Sequence, residues 1–415
     1  MKTLILTYCL FIAISIKAQT PNSWARVADF SGIPTAGGVS FSIDSFGYVG
    51  LGSYGTDTTV GDQYSIEFWQ YNPYTDTWKQ KSNFPGGGRF NMISFVIGSK
   101  AYIGLGYYYG DYNDIWEYDP AIDTWTQKAN FGGGRRSDAS GFSIGGRGYV
   151  GMGYSDTAYY RYKNDIWEYD PNLDTWTQKS NLPSLSTAHS FLFSIAGQAY
   201  IGFGANQQLT TQLNDIWRYT PATDTWTQLA TFPGIPISRT PFVLSIGGHG
   251  YIEVDYDSAN YYNSGKYREY FMEYDAANDT WMKKDSFSGG IRQGMAFFSI
   301  HNRGYVGVGS ASDIVHCSRA FWMYTPDSVA TGINTINENT INLYPNPNKG
   351  SFTLTVAGLA VSSGTDYTIT DMLGNIVAQK TITASSQIVD LPEASEGVYT
   401  LVVKGASPIR FVVVR

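Results

Sequence analysis

Cysteine is nearly absent from this chain: among 415 residues only Cys9 and Cys317 occur. Cys9 lies in an N-terminal leader, so the mature protein has no second thiol with which Cys317 could close an intrachain disulfide. Histidine is almost as rare. His189, His249, His301 and His316 are scattered, and no pair stands at ligand spacing. Basic residues form no stripe, and the net charge of -7 becomes -9 when Lys2 and Lys17 leave with the leader, which argues against nucleic acid as a partner. After residue 16 no run approaches the roughly 18 to 20 apolar residues of a transmembrane helix. Nucleophile elbows, phosphate loops and zinc motifs are missing too, and the sequence implies no metal and no cofactor.

What is present is aromatic and glycine-rich. Aromatic residues make up 16% of the chain, with 32 Tyr and 45 Gly, a composition that reads as many short strands joined by glycine turns. Residues 1–18, MKTLILTYCLFIAISIKA, combine a basic start, an apolar run and a small residue before Gln19, which reads as a secretory signal peptide.

Two landmarks recur beyond it. GYVGLG (47–52), AYIGLG (101–106), GYVGMG (148–153), AYIGFG (199–204), GYIEVD (250–255) and GYVGVG (304–309) are six copies of one. FWQYNPYTDTW, IWEYDPAIDTW, IWEYDPNLDTW, IWRYTPATDTW and FMEYDAANDTW are five copies of the other, ending at Trp78, Trp125, Trp176, Trp226 and Trp281. A sixth, FWMYTPDS, stops before any tryptophan. Each unit holds four strand-like runs, in the second Met92 to Ile97, Tyr102 to Gly106, Ile115 to Tyr118 and Trp125 to Lys128. A four-stranded unit repeated about every 50 residues is the signature of a propeller blade.

The glycine-rich strand end, the Trp-x-Tyr-Asp-Pro turn, Asp-Thr-Trp and an Arg after a Pro/Gly turn resemble the kelch repeat over residues 22 to 327, in the form seen in exported bacterial kelch proteins. The kelch double glycine is here Gly-x-Gly. Trp24, in PNSWARVADF, lies 54 residues before Trp78, in register with the later tryptophans. It is expected to supply the outer strand that the sixth unit lacks, giving an all-β, six-bladed kelch-type propeller over 19–327 closed by its N-terminal strand. The six tryptophans are expected to be buried scaffold, each removing about 150 to 250 Å² from water.

A polar linker, 328–340, leads to residues 341–415, seven alternating runs that read as a small β-sandwich. Tyr344-Pro345-Asn346-Pro347, Gly350-Ser351-Phe352, Asp371-Met372-Leu373-Gly374 and Gly397-Val398-Tyr399 resemble the C-terminal sorting domain of bacterial type IX secretion. That resemblance implies a partner in the secretion machinery, passage through the periplasm and the outer membrane, and release or surface attachment with removal of the tail.

Candidate ligand residues fall in the loops at one channel mouth. Arg89, Arg136 and Arg292 align ahead of successive first strands, Arg239 joins them with a one-residue insertion, and Thr35 and Thr187 fill the other two places. Four guanidiniums there would suit a carboxylate or another anion; the alternative is that each ties down its glycine-rich loop through carbonyls. Tyrosines crowd the neighbouring loops GYYYGDYN (106–113), YSDTAYYRYK (154–163) and DYDSANYYNSGKYR (255–268), with Tyr108 and Tyr160 as candidate stacking residues. In GYIEVD, Glu253 and Asp255 replace both glycines. They are candidates for an acid/base pair or a cation site, unless Lys266 or Arg268 compensates them locally.

Three functions follow as expectations. The first is a secreted or surface propeller binding an extracellular glycan or protein. The second is an enzyme on an anionic sugar, since sialic-acid mutarotases also resemble six-bladed kelch proteins. The third is a structural surface protein without a small ligand. Galactose oxidase resembles the fold too, but its copper site needs two His, two Tyr and a crosslinked Cys that this chain does not assemble in sequence.

Overall fold

The computed structural model describes residues 21–57, 61–155, 161–184, 188, 190–202, 204, 213–233, 242–256, 268–290, 292–310, 317–327, 340–344, 349–357, 365–371, 375–382, 384, 386–403 and 409–414. The chain divides into two compact units, Met1–Ala330 and Thr331–Arg415.

The first unit contains six antiparallel four-stranded sheets. In sheet one Val39–Ile43 is followed by Phe46–Gly50, Phe68–Asn72 and Thr77–Lys81. Sheets two to five repeat this order, beginning at Ile93–Ile97, Ser140–Ile144, Phe191–Ile195 and Val243–Ile246. Sheet six is composite: Ala296–Ile300, Arg303–Gly307 and Phe321–Thr325 take Ser23–Val27 as their fourth strand, with Ser23 opposite Thr325 and Val27 opposite Phe321. First strands touch in sequence order, and the first strand of sheet six touches that of sheet one.

The core is correspondingly divided. Apolar clusters lie between sheets one and two (Phe41, Tyr48, Ile103, Tyr118), between each later pair, and between sheets six and one (Phe298, Tyr305, Val49, Tyr71). Each sheet must be covered on both faces, and a neighbouring sheet does this on either side.

One short motif joins each sheet to the preceding one. In Tyr118-Asp-Pro-Ala-Ile-Asp123-Thr-Trp125, Asp123 sits in the left-handed region at φ 55°. Its carboxylate accepts the Tyr118 hydroxyl at 2.7 Å and the Ser82 amide of the preceding sheet at 3.0 Å, and the Trp125 indole donates to the Ser82 carbonyl at 2.9 Å. Asp76, Asp174 and Asp224 repeat all three bonds with Ala28, Ala129 and Ser180. Asp and Asn tolerate left-handed backbone far better than bulkier residues, and a carboxylate adds the acceptor.

The six tryptophans of this motif are half-buried rather than buried. Each lies on the outermost strand, and Trp24, Trp78, Trp125, Trp176 and Trp281 pack against tyrosine and phenylalanine while staying partly exposed, so the area expected from full burial is not realised. The third-strand tyrosines Tyr71, Tyr118, Tyr169, Tyr219, Tyr274 and Tyr324 are fully buried instead, each no more than 1% exposed.

Second strands stop earlier than the sequence suggests. In sheet two the strand ends at Gly104, not Gly106, because Leu105 turns left-handed at φ 57° and its amide bonds to the Asp114 carbonyl. Leu51, Met152 and Val308 do the same with Glu67, Asp165 and Ala320. The approaching carbonyl occupies the space a Cβ at Gly104 would need, which explains the first glycine of Gly-x-Gly.

The second unit has a three-stranded sheet (Thr340–Tyr344, Ser351–Ala357, Ser386–Asp390) and a four-stranded one (Ile376–Ile382, Thr365–Thr370, Gly397–Val403, Ile409–Val413) around one core that includes Phe352, Tyr367, Leu401 and Phe411. Among the described residues no helix is long and apolar enough to cross a membrane.

Candidate functional site

In the first unit, the described loops that lead into first strands pair with those that follow second strands, as Ala36 does with Ser53, Phe90 with Tyr107, Ser137 with Tyr154 and Gln293 with Ser310. Arg89 and Arg136 hold them together. Arg89 is 1% exposed and Arg136 0%. Arg89 donates to both carboxylate oxygens of Asp114, at 2.5 and 2.8 Å, and to the carbonyls of Leu105 and Gly86. Its Cζ lies 3.9 Å from the Tyr112 ring centre. Arg136 repeats the arrangement with Asp165 at 2.7 and 2.9 Å and with the carbonyls of Met152 and Gly133. Burial alone would raise the Asp165 carboxyl, but the Arg136 bond and charge and the Trp167 indole outweigh it and hold the carboxyl below its usual range.

This corrects the expectation of a ligand-facing arginine ring for these two positions: both guanidiniums are sealed by a carboxylate and by loop carbonyls. The partner is the acid two residues before the third-strand tryptophan, in Asn113-Asp114-Ile115-Trp116 and Asn164-Asp165-Ile166-Trp167. Arg292 keeps the carbonyl half, donating to Gly289 at 2.8 Å and Val308 at 3.3 Å, where Ala320 stands in the acid position. In sheet four Asp215 receives the Ser184 hydroxyl. Arg239, Thr187 and Tyr160 lie outside the described residues.

Main-chain bonds also link successive loops directly. The Gly37 amide donates to Gly294, the Asn91 amide to Gly37 and the Asp138 amide to Asn91, at 2.9, 2.8 and 3.2 Å. All four residues are left-handed, with φ between 52° and 66°.

Next to Asn91 in this chain of bonds stands an aromatic platform. Tyr64 stacks on Phe90 at 5.7 Å and meets Tyr108 edge-on at 5.1 Å; Tyr108 meets Tyr109 at 4.6 Å. Tyr108 is 38% exposed and Tyr109 80%. The loop that presents them is rigidly tied. Phe90 and Tyr107 exchange both main-chain bonds, the Tyr108 amide donates to Gly110 and the Tyr112 amide to Gly106. Tyr109 is itself left-handed at φ 49°, a costly conformation for a bulky side chain that recovers little packing.

Glu253 is 1% exposed and lies opposite Phe271 in a ladder that runs on in register to Tyr256 opposite Arg268. Sheet five continues its ladder where, in sheets one, two, three and six, the next residue turns left-handed, so a side chain fits where they need glycine. Asp255 pairs with Glu269 in the same ladder, and its side chain and Lys266 lie outside what is described. Among the described residues no group of three or more His, Cys, Asp or Glu is placed to hold a metal ion.

Sequence reasoning missed two features. The Asp114 and Asp165 partners were signalled by the repeated Asn-Asp-Ile-Trp. The second is Asn22, at φ 48°, which accepts the Tyr324 hydroxyl and the Asp285 amide while Trp24 donates to the Asp285 carbonyl. Asn22-Ser23-Trp24 is thus the Asp-Thr-Trp motif in other letters.

Residues 342–413 match the family described as secretion system C-terminal sorting domain. The protein is exported, to the cell surface or beyond it. A solved structure, that of YjhT, is similar at a TM-score of 0.58 and 15% identity, covering 71% of this chain and 95% of that one. At that identity the likeness speaks to fold alone, and it supports a β-propeller-like arrangement of the sheets. No curated protein matches the chain.

Proposed function

We propose that residues 19–327 form a closed six-bladed kelch-type propeller, delivered outside the cell by an N-terminal signal peptide and by the sorting domain's engagement of type IX secretion machinery, and that its loop end binds an extracellular glycan or protein. Cyclic contact between the six first strands, together with the strand Ser23–Val27 completing sheet six, supports closure. The binding reading rests on one observation: Tyr108 and Tyr109 are held outward by a strained, multiply bonded loop and braced by Tyr64 and Phe90. Rigid aromatic rings offer large contact area at low entropic cost, and a pre-ordered loop lowers the cost of binding further.

The anionic-sugar enzyme has less support. Its anchoring guanidiniums at Arg89 and Arg136 are engaged internally, and Glu253 is buried in a continuous ladder. The test of the binding reading is retention of the purified protein on panels of immobilised polysaccharides and extracellular proteins, with a Tyr108→Ala/Tyr109→Ala double variant in parallel. Retention by the native protein and its loss in the variant are expected. Failure across both panels, or retention the variant keeps, overturns the reading.

A further inference from the structure

We propose that the Tyr64–Tyr108–Tyr109 platform takes a neutral saccharide in preference to an acidic one. The inference rests on the binding reading above and adds the charge class of the ligand.

The charge around the platform is one-sided. Residues 51–67, which carry Tyr64, and residues 105–114, which carry Tyr108 and Tyr109, contain no Lys, Arg or His. Their acids among the described side chains are Glu67, which accepts from the Ile33 amide and the Trp69 indole, Asp111, which is 1% exposed, and Asp114, which is paired with Arg89. The facing loop, residues 82–91, brings one cation, Arg89, and its guanidinium is closed off in the bidentate pair with Asp114. Arg135, Arg161 and Lys163 belong to the next loops along, which also carry Asp138, Asp156 and Asp165. A uronate or sialate approaching the platform therefore finds in these segments no free guanidinium or ammonium to receive it, and an unpaired carboxylate gains nothing there to offset its desolvation.

Neutral sugars suit the same features. A pyranose presents an apolar C–H face that an exposed ring such as Tyr109 can cover, while its hydroxyls exchange bonds with tyrosine hydroxyls. The size of the patch also discriminates. At this end the exposed large apolar side chains among the described residues are Tyr108, Tyr109 and Ile66. That is well short of the roughly 800 Å² per partner of a standard protein interface.

The experiment uses the full exported chain and measures retention and affinity on xyloglucan, laminarin and galactomannan, on polygalacturonate, alginate and sialyllactose, and on poly-lysine. Retention on at least one neutral polymer is expected, weakened about tenfold or more in Tyr109→Ala, the loss of a single good stacking contact. Tyr109 is largely exposed, so melting should not change, and Tyr109→Phe should keep most of the affinity. Tyr109-dependent retention on an acidic ligand alone overturns the charge inference and leaves the binding reading standing. Retention on poly-lysine alone overturns the saccharide and points to a cationic polypeptide. Absence of retention on every probe, or retention indifferent to Tyr109→Ala and Tyr108→Ala, overturns both.

Discussion

Tyr324 donates its hydroxyl to the Asn22 side chain at 2.9 Å, across 302 residues of chain. The same bond runs from Tyr71, Tyr118, Tyr169, Tyr219 and Tyr274 to an aspartate only five residues on. A local link in five sheets has become, in the sixth, the link between the two ends of the first unit. Asn22→Ala should therefore cost about 1–3 kcal/mol, the penalty for stranding a buried donor, whereas Asn22→Asp should restore the pattern of the other sheets. Deleting residues 22–27 removes the strand as well and should cost far more. Equilibrium unfolding in urea checks the series; a deletion that leaves the midpoint in place would refute the closure.

Arg89 offers a separate test of scaffold against ligand contact. Its charge is buried and shared with Asp114, whose side chain is 17% exposed, so Arg89→Ala strands a carboxylate. A loss on the order of 3 kcal/mol is expected, with Arg136→Ala similar. A ligand-binding arginine would show the opposite pattern, unchanged melting and lost affinity, and that outcome would restore the arginine ring.

These two cases show how the sequence was legible. The repeat, its period and the register of Trp24 follow from residue identity, because a strand or turn that recurs six times prints the same letters. The role of Arg89 did not follow. A guanidinium in a loop reads alike whether it faces solvent or a carboxylate 25 positions later, and only the fold brings Asp114 to it. Asn22 was hidden for another reason: Asn, like Asp, satisfies a left-handed turn and supplies an acceptor, so the physics survived a change of letters. The platform was half visible, since tyrosines crowd several loops and burial alone separates Tyr109 from Tyr107.

The pH limits of the fold follow from the same motif. Burial opposes ionisation of Asp123, Asp174 and Asp224, yet bonds from tyrosine hydroxyls and backbone amides and nearby lysines hold all three below the ordinary value of 3.8. Their contribution is complete above that value and is lost as pH falls through the lower folded values. Burial pushes the tyrosines the other way: Tyr48 and Tyr305 rise to about 12. Unfolded tyrosines ionise near 10, so stability should also fall as pH climbs past that point. Melting temperature should thus be flat across the middle range and drop at both ends. Tyr118→Phe should flatten the acid drop, because Asp123 then loses the bond that depresses it; an acid limb unchanged in this variant would show that the Tyr–Asp pair does not set it.

Gly104 and Glu253 occupy equivalent positions and should answer substitution in opposite ways. At Gly104 a Cβ would run into the Asp114 carbonyl, which is fixed by the Leu105 amide, and the backbone cannot give without opening the bend. Gly104→Ala should therefore cost about 1–3 kcal/mol through overpacking. At Glu253 the hairpin stays extended, Phe271 stands opposite, and the strand already accepts a side chain. Glu253→Gln keeps the volume and removes the charge, so it should fold normally and leave saccharide retention at the Tyr108–Tyr109 platform untouched. Urea midpoints and retention measured on the two variants decide the matter: a Glu253→Gln protein that melts normally but catalyses nothing the native protein catalyses would return Glu253 to the acid/base role, and a Gly104→Ala protein as stable as the native one would show that the left-handed turn is not what the glycine protects.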